Sequence, residues 1–225
     1  MKVELISYTQ NPIETCEICA AVCYDSKPSF GIIKHCIESG HTSTLEHCSF
    51  TFKISEVSRA LLAQITRHRI ASYSVRSQRY CKEDGSGFVI PNMGTSSPEN
   101  EAYKLYDFGI NHSFNTYNEL CKLGIKAEDA RMVLPNACYT TIMVTMNLRA
   151  LGNFMQERLC GRAQWEIRKC ARLMKEEILK VLTEEQAEYF KTHWLVPKCE
   201  THKIPFCEEK NSCGYHKTIK EIIGE

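Results

Sequence analysis

The sequence predicts a helix-rich α+β fold, a single domain with a mixed sheet and flanking helices. Apolar residues recur every three or four positions along several long segments, which is typical of amphipathic helices. Shorter segments, of which 48–54 is the clearest, alternate apolar and polar residues and are rich in β-branched and aromatic side chains, as strands are. A chain of 225 residues with 43% apolar and 24% charged residues can build one sizeable core.

In the first half of the chain, proline, glycine and serine set the boundaries. Pro12 suits the first turn of a helix, Gly40 a C-terminal cap and Ser55 an N-terminal cap. The predicted elements are a strand at 3–8, helices at 12–24 and 31–39, a strand at 48–54, a helix from 56 to about 66, a loop at 67–80 and a short strand at 88–90.

In the second half, Ser97-Pro98-Glu99 is a strong helix start, Gly124 is a stop, and Asn147 can cap a further helix. The predicted elements are a long helix ending at Gly124, a short helix at 127–132, a strand at 139–146, a helix at 148–159 and a helix at 165–182 that closes the ordered core. From Thr183 onward we expect a polar, loosely ordered tail.

Composition and charge exclude several classes of protein. The net charge of +1 argues against a protein that coats nucleic acid or lies on a membrane surface, so we expect neither partner. No run approaches the roughly 18–20 apolar residues of a membrane span, and the first residues are too few and too charged for a signal peptide. The thirteen cysteines are best explained as reduced thiols, so we predict a cytoplasmic protein.

The cysteines of the tail leave a metal site open as an alternative. Cys199, His202, Cys207, Cys213 and His216 could supply four zinc ligands. Structural zinc sites usually contain cysteines separated by about two to four residues. The spacings here are seven and five, so we predict no metal and keep a zinc-organised interaction protein as a rival.

The stretch 67–80 carries the strongest chemical signal. It holds four arginines and a histidine without an acidic residue, and guanidinium groups bind phosphate through two parallel hydrogen bonds. A solvated basic loop is the ordinary explanation. The apolar residues that lead into it, including Leu61, Leu62 and Ile65, indicate instead that the arginines emerge from a packed helix and face an anion. A non-catalytic RNA- or nucleotide-binding module that uses the loop 67–79 is an alternative.

Four further polar clusters are each explicable alone as a turn, a helix cap or a surface charge. They are His41, Ser43 and Glu46 ahead of a predicted strand, Arg131 ahead of a proline, Asn147, Arg149 and Asn153 at a helix start, and Arg158 with Arg162 on one helical face.

Taken together and in order, these clusters resemble one family. Arg67-His68-Arg69, seven residues and then Ser77 is similar to the signature of the flavin-dependent thymidylate synthases. The resemblance extends over roughly residues 1–182 and includes Gly40-His41, Gln64, Ser77-Gln78-Arg79-Tyr80, Ala130-Arg131, Asn147-Leu148-Arg149 and Ala163-Gln164-Trp165-Glu166. It implies a catalytic domain at 1–182 and a polar, Cys-containing C-terminal tail at 183–225.

The resemblance implies an activity and an assembly. The protein would convert dUMP to dTMP, with methylenetetrahydrofolate as one-carbon donor, FAD as hydride carrier and NADPH as reductant. It would form a homotetramer with active sites between subunits. The chemistry of the residues agrees, because these ligands bring several anions beside stacked rings, and arginines on a rigid helix end can hold them.

The resemblance also implies a role for each matched residue. The residues expected to contact FAD are Ser43, Glu46, Arg67, His68, Arg69, Asn147, Arg149 and Asn153. Those expected to contact dUMP are Gln64, Arg67 and Arg158 from one subunit, and Val75, Arg76, Ser77, Gln78, Arg79 and Arg131 from a neighbour. Arg158 is the expected catalytic residue, lying against the uracil ring and stabilising negative charge that develops on the pyrimidine.

Some residues depart from the family pattern or invite a different role. Val75 and Arg76 stand where an acidic or amide residue and an apolar residue are usual, which leaves Arg76 unexplained. Ser77 has no identifiable histidine–carboxylate relay, so we expect it to hydrogen-bond phosphate rather than act as a nucleophile. Cys138 is expected to be a packed thiol.

Overall fold

The fold is built on one antiparallel sheet. In the computed structural model, which describes residues 1–83, 87–93 and 100–224, this sheet has four strands. They are β1 (Lys2–Tyr8), β2 (Ser49–Ser58), β3 (Ser72–Val75) and β4 (Tyr139–Asn147), in the order β1-β2-β4-β3. The expected helix-rich α+β domain is confirmed. The expectation of a mixed sheet is wrong, because an alternating pattern specifies which face is buried and not the direction of the strand.

The helices predicted before residue 183 lie close to their expected positions, whereas α8 and α9 lie in the tail, where no helix was predicted. The helices are α1 (Pro12–Tyr24), α2 (Phe30–Glu38), α3 (Arg59–Ile65), α4 (Glu101–Lys122), α5 (Ala127–Ala130), α6 (Leu148–Arg158), α7 (Trp165–Leu179), α8 (Glu184–His193) and α9 (Ile219–Ile223), with 3-10 turns at Thr42–His47, Arg131–Val133 and Lys198–Glu200. Asn147 caps α6 as predicted, since its Oδ1 accepts a hydrogen bond from the backbone N–H of Ala150 at 2.8 Å.

The boundary between β2 and α3 differs from the prediction. The strand continues to Ser58, whose Oγ accepts a hydrogen bond from the backbone N–H of Leu61 at 3.0 Å. The cap is therefore Ser58 and not Ser55, and α3 begins at Arg59. Both serines precede the same apolar helix, so cap chemistry alone does not choose between them.

Three other predictions have different outcomes. β3 lies inside the segment 67–80, which was predicted to be a loop. The strand was not predicted because its partner β4 is distant in the sequence, so the pairing leaves no local signal. Phe88 forms only an isolated bridge with Cys138 where a strand was expected at 88–90. The predicted helix start at Ser97-Pro98-Glu99 lies outside the described residues, and α4 is capped by Asn100.

The chain divides into two compact units, and each has its own core. Unit 1 comprises Met1–Lys2, Ile54–Thr66 and Ser74–Ile142, and unit 2 comprises Val3–Lys53, Arg67–Tyr73 and Met143–Glu225. Fully buried residues of unit 1 include Ile54, Val57, Leu61, Ile65, Cys138 and Ile142. Those of unit 2 include Phe50, Phe52, Leu151, Phe154, Ile167, Met174 and Phe190.

The ordered core does not close at residue 182 as predicted. In unit 2, Phe190 and Leu195 are fully buried, and Trp194 donates a hydrogen bond from its indole nitrogen to the carbonyl of Leu148 at 3.0 Å. The indole lies against Gly152, where an added Cβ would stand only 2.4 Å from Trp194 Cε2. Because the tail is mostly polar, its few buried apolar residues could not be recognised from the sequence.

Candidate active site

In unit 2, the residues that follow α3 place a histidine against α6. The His68 imidazole lies edge-on to the Phe154 ring, with centroids 4.9 Å apart. Its Nε2 accepts a hydrogen bond from Arg158 Nε at 2.9 Å, and its backbone carbonyl accepts one from the Tyr73 hydroxyl at 2.9 Å. Phe154 and Arg158 are four residues apart on α6, so one helix face holds the imidazole.

The environment of His68 keeps its side chain neutral. Burial lowers the pKa of His68, the charge of Arg158 lowers it further, and Glu157 opposes the shift. An unprotonated Nε2 is what allows the ring to accept from the guanidinium. The Arg158 side chain is half-buried and makes a longer ion pair with Glu157, at 3.8 Å.

The arginines on either side of His68 are differently placed. Arg67 and Arg69 are exposed, and no carboxylate among the described residues forms an ion pair with either of them. Two exposed guanidinium groups beside a neutral histidine can form a binding site for an anion.

The start of α6 carries the second predicted group of unit 2. Arg149 and Asn153 are exposed and lie one helical turn apart. Arg149 Nη1 donates to Glu46 Oε1 at 2.5 Å, and each of the two side chains is slightly less than half exposed. Ser43 is exposed in the same 3-10 turn as Glu46. The structure thus brings together the carboxylate and the guanidinium that the resemblance assigned to one ligand.

In unit 1, the loop after β3 carries the predicted nucleotide residues. Ser77 Oγ accepts a hydrogen bond from the backbone N–H of Arg79 at 3.2 Å. Gln78 is buried, and its amide donates to Cys138 Sγ at 3.6 Å, so its side chain faces the core. Val75 ends β3 and is partly buried.

Two arginines of unit 1, Arg79 and Arg131, converge on a residue that sequence reasoning missed. Arg79 Nε donates to Glu128 Oε2 at 2.6 Å. Arg131 Nε donates to the backbone carbonyl of the same Glu128 at 3.0 Å. Glu128 therefore holds two guanidinium groups predicted to bind dUMP. The signal in the sequence was its position three residues ahead of Arg131, since that spacing brings two residues of one helical turn together. Gln64 lies on α3, and its amide reaches the carbonyl of Ala60 at 3.5 Å.

Cys138 has no feature of a nucleophile. Burial is the main cause that raises the pKa of Cys138, to about 11, and the charge of Glu83 contributes to the same shift. The thiol is then protonated at neutral pH, and a protonated thiol is a poor nucleophile. The expectation of a packed thiol agrees with this environment.

A large cavity in unit 2 was not foreseen from the sequence. Its volume is about 1550 Å³, and it lies between the turn that joins α6 to α7 and the C-terminal tail. Arg158 and Arg162 line it together with cysteines from both segments, namely Cys160, Cys199, Cys207 and Cys213. No group of three metal-ligating side chains within residues 1–83, 87–93 and 100–224 is arranged to hold a metal ion. Over the same residues, no helix combines the length and apolar character needed to cross a membrane.

Comparisons with known proteins agree with this pattern. A family model described as thymidylate synthase complementing protein matches residues 4–183. A flavin-dependent thymidylate synthase of Geobacter sulfurreducens is 36% identical over 100% of this chain and 99% of its own length. One from Pyrococcus abyssi is 39% identical over 93% of this chain and 90% of its own.

Two solved structures are similar in fold. The flavin-dependent thymidylate synthase ThyX of Helicobacter pylori, complexed with FAD and dUMP, has a TM-score of 0.66 at 25% identity and covers 85% of this chain and 98% of its own. The UMP/dUMP methylase PolB of Streptomyces cacaoi has a TM-score of 0.72 at 23% identity, covering 87% and 96%, and supports the fold alone. On the match of residues 4–183 and these full-length relatives, the chain belongs to the flavin-dependent thymidylate synthase family.

Proposed function

We propose that this chain methylates dUMP to dTMP, taking the one-carbon unit from methylenetetrahydrofolate and the hydride from FAD that NADPH has reduced. The observation that carries the proposal is the pair of exposed guanidinium groups at Arg67 and Arg69 beside the neutral His68. The pyrophosphate of FAD is an anion that these two guanidinium groups can bind. Family membership and the FAD and dUMP in the description of the Helicobacter pylori structure support the same assignment.

We assign FAD to the polar residues clustered in unit 2. They are Ser43, Glu46, Arg67, His68, Arg69, Asn147, Arg149 and Asn153. These side chains suit FAD, because they combine cations that can bind the phosphates with amides and a carboxylate that can hydrogen-bond ring and ribose atoms. Asn147 uses its Oδ1 for the helix cap, which leaves its NH₂ to donate. Bound flavin would supply hydride transfer, which no amino-acid side chain provides.

We assign dUMP to residues from two chains of a homotetramer. One subunit would contribute Gln64, Arg67 and Arg158, and a neighbour Val75, Ser77, Gln78, Arg79 and Arg131. The convergence of Arg79 and Arg131 on Glu128 supports a common anion for these two guanidinium groups. The half-buried Arg158, oriented by His68, would stabilise negative charge on the pyrimidine.

We infer that residues 1–182 form the catalytic domain and 183–225 a C-terminal tail. The family match to residues 4–183 supports that boundary. We further infer a cytoplasmic location, which the thirteen free cysteines support because disulfides are rare in that compartment.

Binding of FAD tests the proposal. The purified protein should be yellow, or should quench FAD fluorescence on titration, and Arg67→Ala should weaken FAD binding by at least about tenfold, the scale of one charge-assisted hydrogen bond. Lys122→Ala, which removes an exposed cation at the end of α4, is the control and should bind FAD normally. A colourless protein that leaves FAD fluorescence unchanged, and binds polynucleotides in a strongly salt-dependent way, would contradict the proposal.

A further inference from the structure

The loop that carries Ser77 and Arg79 is closed at its two ends by one side chain. Arg76 follows β3 and opens the loop. Its Nη1 donates to the carboxylate of Glu83, and its Nη2 donates to the carbonyl of Lys82 at 2.9 Å. The guanidinium therefore spans the loop and binds the segment at which the loop ends.

Glu83 is an unusual partner because it is fully buried. Its side chain is 0% exposed, and a carboxylate removed from water is stable only when it is paired and hydrogen-bonded. Its backbone N–H donates to the Tyr117 hydroxyl at 3.3 Å, which ties this end of the loop to α4. The pKa of Arg76 is raised, chiefly by its hydrogen bond to Glu83. The pair thus joins a partly exposed guanidinium to a fully buried carboxylate, which distinguishes it from an ion pair of two exposed side chains.

The opposite end of the loop is fixed through the backbone of Arg76. Its N–H donates to the carbonyl of Thr141 at 2.9 Å, and its carbonyl accepts from Arg59 Nη1 at 3.3 Å. Arg59 also reaches Thr140 Oγ1 at 3.3 Å. Between the two ends, the loop has a turn of its own, in which the N–H of Cys81 donates to the carbonyl of Ser77 at 3.0 Å.

We propose that Arg76 is a positioning residue, which closes the loop on Glu83 so that Ser77 and Arg79 are held ready for dUMP, and that Arg76 does not bind the nucleotide. The inference rests on the proposed function and revises the expected contact between Arg76 and dUMP. Closing the loop in advance removes part of the ordering cost of binding, so the benefit belongs to affinity.

The proposal separates binding from turnover. Because Arg76 would touch neither the reacting atoms nor the flavin, its loss should raise Kd and KM for dUMP and leave kcat at saturation within about threefold. FAD affinity should be unchanged. Arg79→Ala is a contrasting variant, because Arg79 is assigned to the nucleotide itself.

The decisive variant is Glu83→Gln, with dUMP binding to the FAD-loaded protein measured by calorimetry. If Arg76 were a direct ligand, releasing it from Glu83 would leave dUMP binding unchanged or make it tighter. We expect instead that Glu83→Gln and Arg76→Ala each weaken binding by about tenfold or more. Arg76→Lys, which keeps the charge, should restore part of the loss.

A double variant guards against misfolding. Arg76→Ala alone removes a cationic partner of a buried carboxylate, whereas Arg76→Ala/Glu83→Gln removes both charges. The double variant should bind dUMP about as weakly as either single variant, because all three lose the same link. Glu83→Gln binding as tightly as the wild type would overturn the inference alone. A wild-type protein that binds FAD but not dUMP would overturn the assignment of dUMP to this loop as well.

Discussion

Arg158 donates a hydrogen bond from Nε to Nε2 of His68 over 2.9 Å, and the imidazole that accepts it lies edge-on to Phe154. The acceptor exists only while His68 is unprotonated. Burial and the neighbouring guanidinium keep the pKa of His68 below its usual range. The orientation of the proposed catalytic arginine is therefore linked to the protonation state of a histidine in the proposed FAD site.

This link predicts a pH dependence of stability. Since the pKa of His68 is lower in the folded protein, the unfolded chain takes up the proton first as pH falls below about 6.5. The contribution of His68 to stability is then lost between that pH and the depressed folded pKa. In urea unfolding, the wild type should lose stability relative to His68→Gln as the pH is lowered through about 6.5 and further. An unchanged difference between the two proteins would contradict the neutral histidine.

The ion pair of Arg149 and Glu46 separates ligand binding from stability. Both side chains are substantially exposed, so the pair should contribute no more than about 1 kcal/mol to the free energy of unfolding. A charge-assisted hydrogen bond to FAD is worth about 1.5–3 kcal/mol. Arg149→Ala should therefore weaken FAD binding by at least about tenfold with little change in unfolding. Equal FAD affinity would remove Arg149 from the proposed site, and Lys122→Ala serves as control.

Trp194 tests whether the first part of the tail belongs to the core. Its indole is buried on Gly152 and hydrogen-bonded to the carbonyl of Leu148. Trp194→Ala should cost about 3–5 kcal/mol in the free energy of unfolding, measured by denaturant titration. Ile222→Ala, at an exposed tail position, should cost less than about 0.5 kcal/mol. A small loss for Trp194→Ala would return the core boundary to residue 182.

The sequence predicted what depends on local patterns. The helices α1 and α6, the strand β4 and the Asn147 cap were all predicted from the spacing of apolar residues, from a proline in the first helical turn or from capping residues. β3 was missed because its stability comes from pairing with β4, about seventy residues away in the sequence. The strand directions were missed for the same reason.

The candidate site shows the same division. Its residue types were recoverable from order and spacing, but their partners were not. Glu83 and Glu128 gave no sign that they hold Arg76 and Arg79, because side-chain partners depend on tertiary packing. The burial of Gln78 was equally invisible, since a glutamine between two polar residues is ordinarily exposed.

Mixed assemblies test whether the active sites are shared between chains. Arg158→Ala and Arg79→Ala homotetramers should each be nearly inactive. After unfolding and refolding the two together, about a quarter of the sites should combine an intact Arg158 with an intact Arg79 from another chain. Activity should recover to that order. A mixture that stays inactive, although labelled chains are seen to exchange, would place both arginines in one chain's site.

Formation of dTMP tests the central claim most directly. The FAD-loaded protein, dUMP, methylenetetrahydrofolate and NADPH should yield dTMP, detected by chromatography, and omission of any one component should stop it. Arg158→Ala should slow the reaction by about a hundredfold or more, the scale for losing one group that stabilises developing charge. An FAD-loaded wild-type protein that binds dUMP yet forms no dTMP in the complete mixture would contradict the claim.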